Sequence, residues 1–169
     1  MANKKRPQLA QDASISNGPT QGPSPLYNAG SLTNAQEAMA ELIRSEAESA
    51  GLDPAFMIAL AVTESSLDPS AIGDDGLSVG LFQLNKKFHS LSQSQLLDPL
   101  TNADTSMVEM LALMRRFPGN TFGAYAEAWT LGGSGRFVKG KTNPGKIRAM
   151  QKAIGDLHLD LDLMGVPNA

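Results

Sequence analysis

Residues 55–62, Ala-Phe-Met-Ile-Ala-Leu-Ala-Val, follow directly on Asp53-Pro54 and are apolar at every position. Asp-Pro is a helix start: the aspartate caps the first turn, and proline stands where no amide needs a partner. A helix that is apolar on all sides has to be enclosed by other elements. This one falls well short of the roughly 20 residues that cross a bilayer. The enclosure must therefore come from the rest of the chain, and a central buried helix is the first expectation.

The other segments supply walls for it. Thr33 and Gln36 form a capping-box pair, and Ala35, Ala38, Met39, Leu42, Ile43 and Ala50 follow at helical spacing until Gly51. Pro69 limits the central helix. Residues 71–97 are rich in Gly, Ser, Asp and Gln and are predicted as loops around one or two short elements, with an apolar knot at 79–84. Met107, Met110, Leu111 and Met114 recur at i, i+3, i+4 and i+7, which predicts a helix capped at Asp104 and ending before Pro118-Gly119. A shorter helix is expected over 121–129 and a last one from about Pro144 to Ile154. Alternating strand patterns are nearly absent, so the fold class is mostly α.

These elements define a domain over residues 31–155. Residues 1–30 hold four of the ten prolines and few large aliphatic residues. That composition predicts a flexible N-terminal arm, since little apolar burial offsets the cost of ordering it. Residues 156–169 are expected to form a loose C-terminal tail.

Composition narrows the function. Fourteen Lys and Arg against 17 Asp and Glu give a net charge of −3, so no overall basic field draws the chain to nucleic acid. Cysteine is absent and the two histidines stand far apart at 89 and 158, so neither a metal site nor a cofactor is expected. Lys4, Lys5 and Arg6 precede a polar stretch rather than the apolar core of a signal peptide. The basic run Arg136, Lys139, Lys141, Lys146, Arg148 and Lys152 is expected to be a solvated face.

One residue carries chemistry. Met57, Leu60 and Ala61 lie seven, four and three positions before Glu64, which puts this carboxyl at the end of an apolar stripe. Desolvation and the negative end of the helix dipole both disfavour an anion there. A carboxyl kept neutral is what protonates a leaving sugar oxygen.

The surrounding text is more specific. Ala59-Leu-Ala-Val-Thr-Glu64-Ser65-Ser66-Leu-Asp68-Pro69 is followed, 19 residues from Glu64 to Gln83, by Gly73-Asp-Asp-Gly76-Leu-Ser-Val-Gly80-Leu81-Phe82-Gln83-Leu84. Further on comes Ala128-Trp129-Thr130-Leu131-Gly132-Gly133-Ser134-Gly135-Arg136. Over roughly residues 33–154 the chain resembles the lytic transglycosylases with a lysozyme-like fold, and their relatives the goose-type lysozymes. Phe82 stands where that family usually has Met, and Trp129-Thr130 where it commonly has Tyr-Asn. The resemblance implies a lysozyme-like fold whose central helix carries the catalytic acid, Glu64. It also implies a peptidoglycan glycan strand as substrate, cut between N-acetylmuramic acid and N-acetylglucosamine with a 1,6-anhydro product. Ser65, Asp74, Gly80, Leu81, Phe82, Gln83, Tyr125 and Trp129 are the expected substrate-binding set. Within it Gly80 would let the backbone approach the sugar, and Gln83 would hydrogen-bond Glu64 or the sugar. Tyr125 would replace the missing phenol, while Leu81 and Phe82 suit core or cleft wall equally.

Two alternatives stand beside this reading. An inverting muramidase would use Asp74 or Asp75 to hold a water, although Asn85 stands where the goose-type enzymes carry a further Asp. A catalytically idle assembly module of a virion would keep only the fold. Without a signal peptide, the chain is expected either in a bacteriophage particle that carries it to the wall, with residues 1–30 as the contact to virion proteins, or delivered to the periplasm or cell wall by another route.

Overall fold

A computed structural model describes residues 29–130 and 144–168; most of the expected arm, residues 1–28, lies outside them. The central helix is present as α2, Pro54–Ser65, with the Asp53 side chain accepting from the Phe56 amide at 3.0 Å. Ala55 through Ala61 are all buried. Around it pack α1 (Asn34–Ala50) and α6 (Pro144–Leu157), while α4 (Pro99–Arg116) lies against α1. The remaining helices are α3 (Gln93–Leu96) and α5 (Phe122–Thr130). The mostly helical class holds.

The α1 capping box forms as expected, with Gly51 closing the helix at φ 73°. The start of α4 differs: Asp98, not Asp104, is the cap, accepting from Thr101 N at 2.8 Å. Asp98-Pro99 repeats the Asp53-Pro54 signal that starts α2, and it outweighs the later Asp because proline fixes the first turn.

Between α2 and α3 the chain builds a three-stranded antiparallel sheet, β1 (Ile72–Gly73), β2 (Ser78–Val79) and β3 (Leu84–Asn85), in the order β1-β2-β3. Ile72 pairs with Val79, and Val79 with Leu84. Two-residue strands carry few ladder bonds, so side chains complete the loop. The carboxamide of Asn102, wholly buried in α4, does most of this. Its Oδ1 accepts from Phe82 N at 3.0 Å, and its Nδ2 donates to Val79 O at 3.0 Å and Leu96 O at 2.8 Å.

The tail is not loose. Leu157, Leu159 and Leu163 are buried, and the carbonyls of Gly165 and Leu163 accept from Phe122 N at 3.0 Å and Gly123 N at 2.9 Å. Those amides open α5 and have no partner within the helix, so the returning chain satisfies them. The domain therefore extends to residues 156–168.

Replacing Asn102 by Ala should destabilise the fold by roughly 3 kcal/mol, about 1 kcal/mol for each of the three buried backbone groups left unpaired. The corresponding fall in Tm is about 10 °C for a domain of this size. A thermal melt unchanged within 2–3 °C, roughly a fifth of that scale, would show that water or a loop shift replaces the carboxamide.

Candidate active site

Glu64 lies in the last turn of α2, and three contacts fix that turn. Ser65 Oγ donates to Leu81 O at 2.8 Å and to Ala61 O at 3.2 Å. Gln36 Nε2, from the α1 cap, donates to Ser66 O at 3.0 Å. Ser66 and Leu67 then take left-handed conformations, φ 56° and 61°, which end the helix at Ser65, one residue after Glu64. The side chain, 14% exposed, reaches a groove of about 600 Å³.

The groove has three walls. Asp74, Ser78, Gln83, Leu84 and Asn85 come from the sheet region. Phe88 and His89 follow it, facing Glu109, Ala112, Leu113 and Arg116 at i, i+3, i+4 and i+7 along α4. Trp129 and Thr130 come from the end of α5. Among the described residues no group of three or more His, Asp or Glu is placed to hold a metal, and no helix is long and apolar enough to cross a membrane.

Of the expected binding residues, Asp74, Gln83 and Trp129 line the groove with Glu64. Asp74 accepts the Ser78 hydroxyl. Gln83 Nε2 donates to Ala71 O at 3.2 Å and Gly80 O at 3.0 Å, so its amide closes the loop instead of meeting Glu64. Trp129 Nε1 donates to Phe82 O at 3.2 Å, and its ring meets Phe82 edge-on at 6.2 Å.

The other five stand behind the wall. Leu81 and Phe82 are wholly buried, which decides between core and cleft in favour of core. The Ser65 hydroxyl is committed to Leu81 O. Gly80, at φ 79°, does allow a close approach, but the approaching group is Asn102: a Cβ there would lie 2.3 Å from its Nδ2. Tyr125 is 2% exposed and donates to Phe117 O at 2.6 Å, so it does not replace the missing phenol at Glu64. Asp75 is exposed in the turn beside Asp74 and is not part of the wall.

Lys146 departs most from expectation. Instead of lying on a solvated face it is buried, with its side chain 8% exposed, and its Nζ donates to Glu64 Oε1. Glu64 thus ends an apolar stripe but does not face apolar groups alone. Arg148 and Lys152 are exposed as expected, while Arg136, Lys139 and Lys141 fall outside the described residues, as do Leu131 to Arg136 of the third motif.

The far end of the groove was not foreseen. His89 Nδ1 lies 3.4 Å from Glu109 Oε1. Burial pushes the Glu109 carboxyl above its ordinary range, with His89 opposing in part. The sequence signal for this wall is faint: Glu109 and Arg116 sit beside the methionine stripe of α4, where charged residues usually mean solvent.

The family model for the transglycosylase SLT domain matches residues 41–135. The chain belongs to this family. SLT membership implies lytic transglycosylase activity in general, with peptidoglycan as the substrate. It accords with the lysozyme-like helical fold. The SLT match runs from within α1 past the end of α5 and stops before α6, so Lys146 lies beyond it. No curated protein sequence matches the chain.

The raised Glu109 gives a pH test. The folded protein holds this proton more tightly than the unfolded chain, so Glu109's contribution to stability is full below the unfolded pKa and declines as pH rises through the folded one. Glu109→Gln removes that decline. The Tm of the variant minus that of the parent should be more positive at about pH 7 than at about pH 4. A difference that is flat or reversed between the two would show that His89 outweighs burial.

Proposed function

We propose that this SLT domain is a peptidoglycan lytic transglycosylase in which Glu64 is the acid and then the base. The observation that carries this reading is a carboxyl fixed at the end of a helix whose residues 55–61 are all buried, yet lining a groove, within the family-matched segment. Protonated Glu64 gives its proton to the oxygen bridging N-acetylmuramic acid and N-acetylglucosamine, and the bond from that oxygen to the muramyl anomeric carbon breaks. The carboxylate then takes the proton of the muramyl 6-hydroxyl as O6 bonds to the anomeric carbon. Water does not enter the balance, and Glu64 returns to its starting form. Trp129 and the exposed Phe88 offer aromatic faces to sugar rings along the groove.

An inverting muramidase is the second reading, favoured by Asp74 and Glu109 on the same groove. It needs a separate carboxylate to activate a water. Mass analysis of digested walls separates the two. Anhydromuramyl ends, lighter by one water than reducing ends, are expected, and Glu64→Gln, assayed well below its melting temperature, should lower their release by at least ~100-fold. Its Tm should fall, because the buried Lys146 ammonium loses its carboxylate partner. Reducing ends that disappear in Asp74→Asn or Glu109→Gln would make the enzyme a hydrolase.

Carriage to the wall in a phage particle belongs to this proposal and is supported by the proline-rich, aliphatic-poor composition of residues 1–30. A chain lacking residues 1–30 should lyse purified walls normally and fail to enter particles. A fall in Tm of more than about 4 °C on truncation would instead mean that the segment packs on the core.

A further inference from the structure

Glu64 has two oxygens in different situations. Oε1 accepts from Lys146 Nζ, which comes from α6 and is not part of the groove wall. Oε2 has no hydrogen-bond partner among the described residues, and it is not sealed from solvent either, since no buried side-chain oxygen there lacks a partner. The ammonium therefore takes one oxygen from behind the wall and leaves the other to the groove. Tyr125 and Gln83, the side chains expected to steady the acid, are turned to Phe117 O and to Ala71 O and Gly80 O.

We propose that Lys146 is the positioning residue of this site: it holds Glu64 by Oε1 so that Oε2 is the atom that gives and takes the proton. This rests on the proposed role of Glu64 and names a group outside the family-matched residues. Lys146 meets Glu64 at Oε1 and acts on the reacting oxygen through the carboxyl. Its contribution is to remove the rotational freedom of a carboxyl that must first face the bridging oxygen and then the 6-hydroxyl. When Glu64 is the anion between those two steps, the buried ammonium also faces its charge.

The test is a double-mutant cycle on the full chain with purified peptidoglycan, reading kcat and KM separately. Lys146→Met keeps an unbranched four-atom stem and removes the ammonium. It should lower kcat by at least ~10-fold, the scale on which a misplaced catalytic group is felt, and leave KM within about twofold. Combined with Glu64→Gln it should add no further loss, because both act through one carboxyl. Lys146→Arg, which restores a donor, should recover part of kcat. Should the Met variant not fold, Lys146→Gln, which also removes the ammonium, carries the same comparison against Lys146→Arg. Full kcat in Lys146→Met, a loss confined to KM, or additivity with Glu64→Gln would overturn the positioning role while leaving Glu64 as the acid. An active Glu64→Gln would overturn the catalytic reading, and this one with it.

Discussion

The carboxamide of Asn102 is the constraint on which the geometry around Glu64 depends. Val79 O, Phe82 N and Leu96 O belong to segments too short or irregular to pair within regular structure, and the peptide groups they offer are buried. Such groups must find partners. One amide, held rigidly on α4, meets all three. Gly80 is the corollary, since any side chain there would occupy the space of Asn102 Nδ2. With Phe82 fixed, its carbonyl receives Trp129 Nε1, and the neighbouring Leu81 O receives the Ser65 hydroxyl. One buried amide thus ties α4, the small sheet, the end of α2 and the end of α5 into a single frame.

That chain of contacts changes the meaning of the Gly80-Leu81-Phe82-Gln83 motif. Its residues hold the wall more than they form it. Leu81 and Phe82 fill the core beneath, Gly80 admits Asn102, and Gln83 closes the loop with its amide while showing its edge to the groove. A pattern of residue types at fixed spacing marks a site, yet it does not separate the groups that touch a ligand from those that place them.

The starts of α1 and α2 were legible because a capping side chain lies within three residues of the amide it meets. The class of fold was legible from the periodicities, and so was the position of Glu64 at the end of the central helix, after the apolar residues 55–62. The start of α4 was misassigned where two aspartates competed and the one before proline prevailed. The tail was misread for a different reason: Leu157, Leu159 and Leu163 look sparse in sequence, but the segment also brings the carbonyls that the first amides of α5 lack. That need is created by the fold and leaves no local mark. His89 and Glu109 meet across 20 residues of loop and helix, which no spacing rule links.

Lys146 was less hidden than it first looks. Grouped by charge with Arg136, Lys139, Lys141, Arg148 and Lys152, it reads as one more solvated cation. Grouped by helical phase it stands with Met150, Ala153 and Leu157, at steps of four, three and four, along the buried stripe of α6. A lysine on that stripe cannot reach water without leaving the core, and a buried ammonium is tolerated when an acid meets it. α6 packs on α2, whose single acid stands at its end, and on α5, whose Glu127 is also buried, so phase and packing narrow the acids to two, and Lys146 Nζ donates to Glu64. Phase decides this case over charge because the cost of burying an unpaired ammonium exceeds anything a solvated cluster of like charges gains.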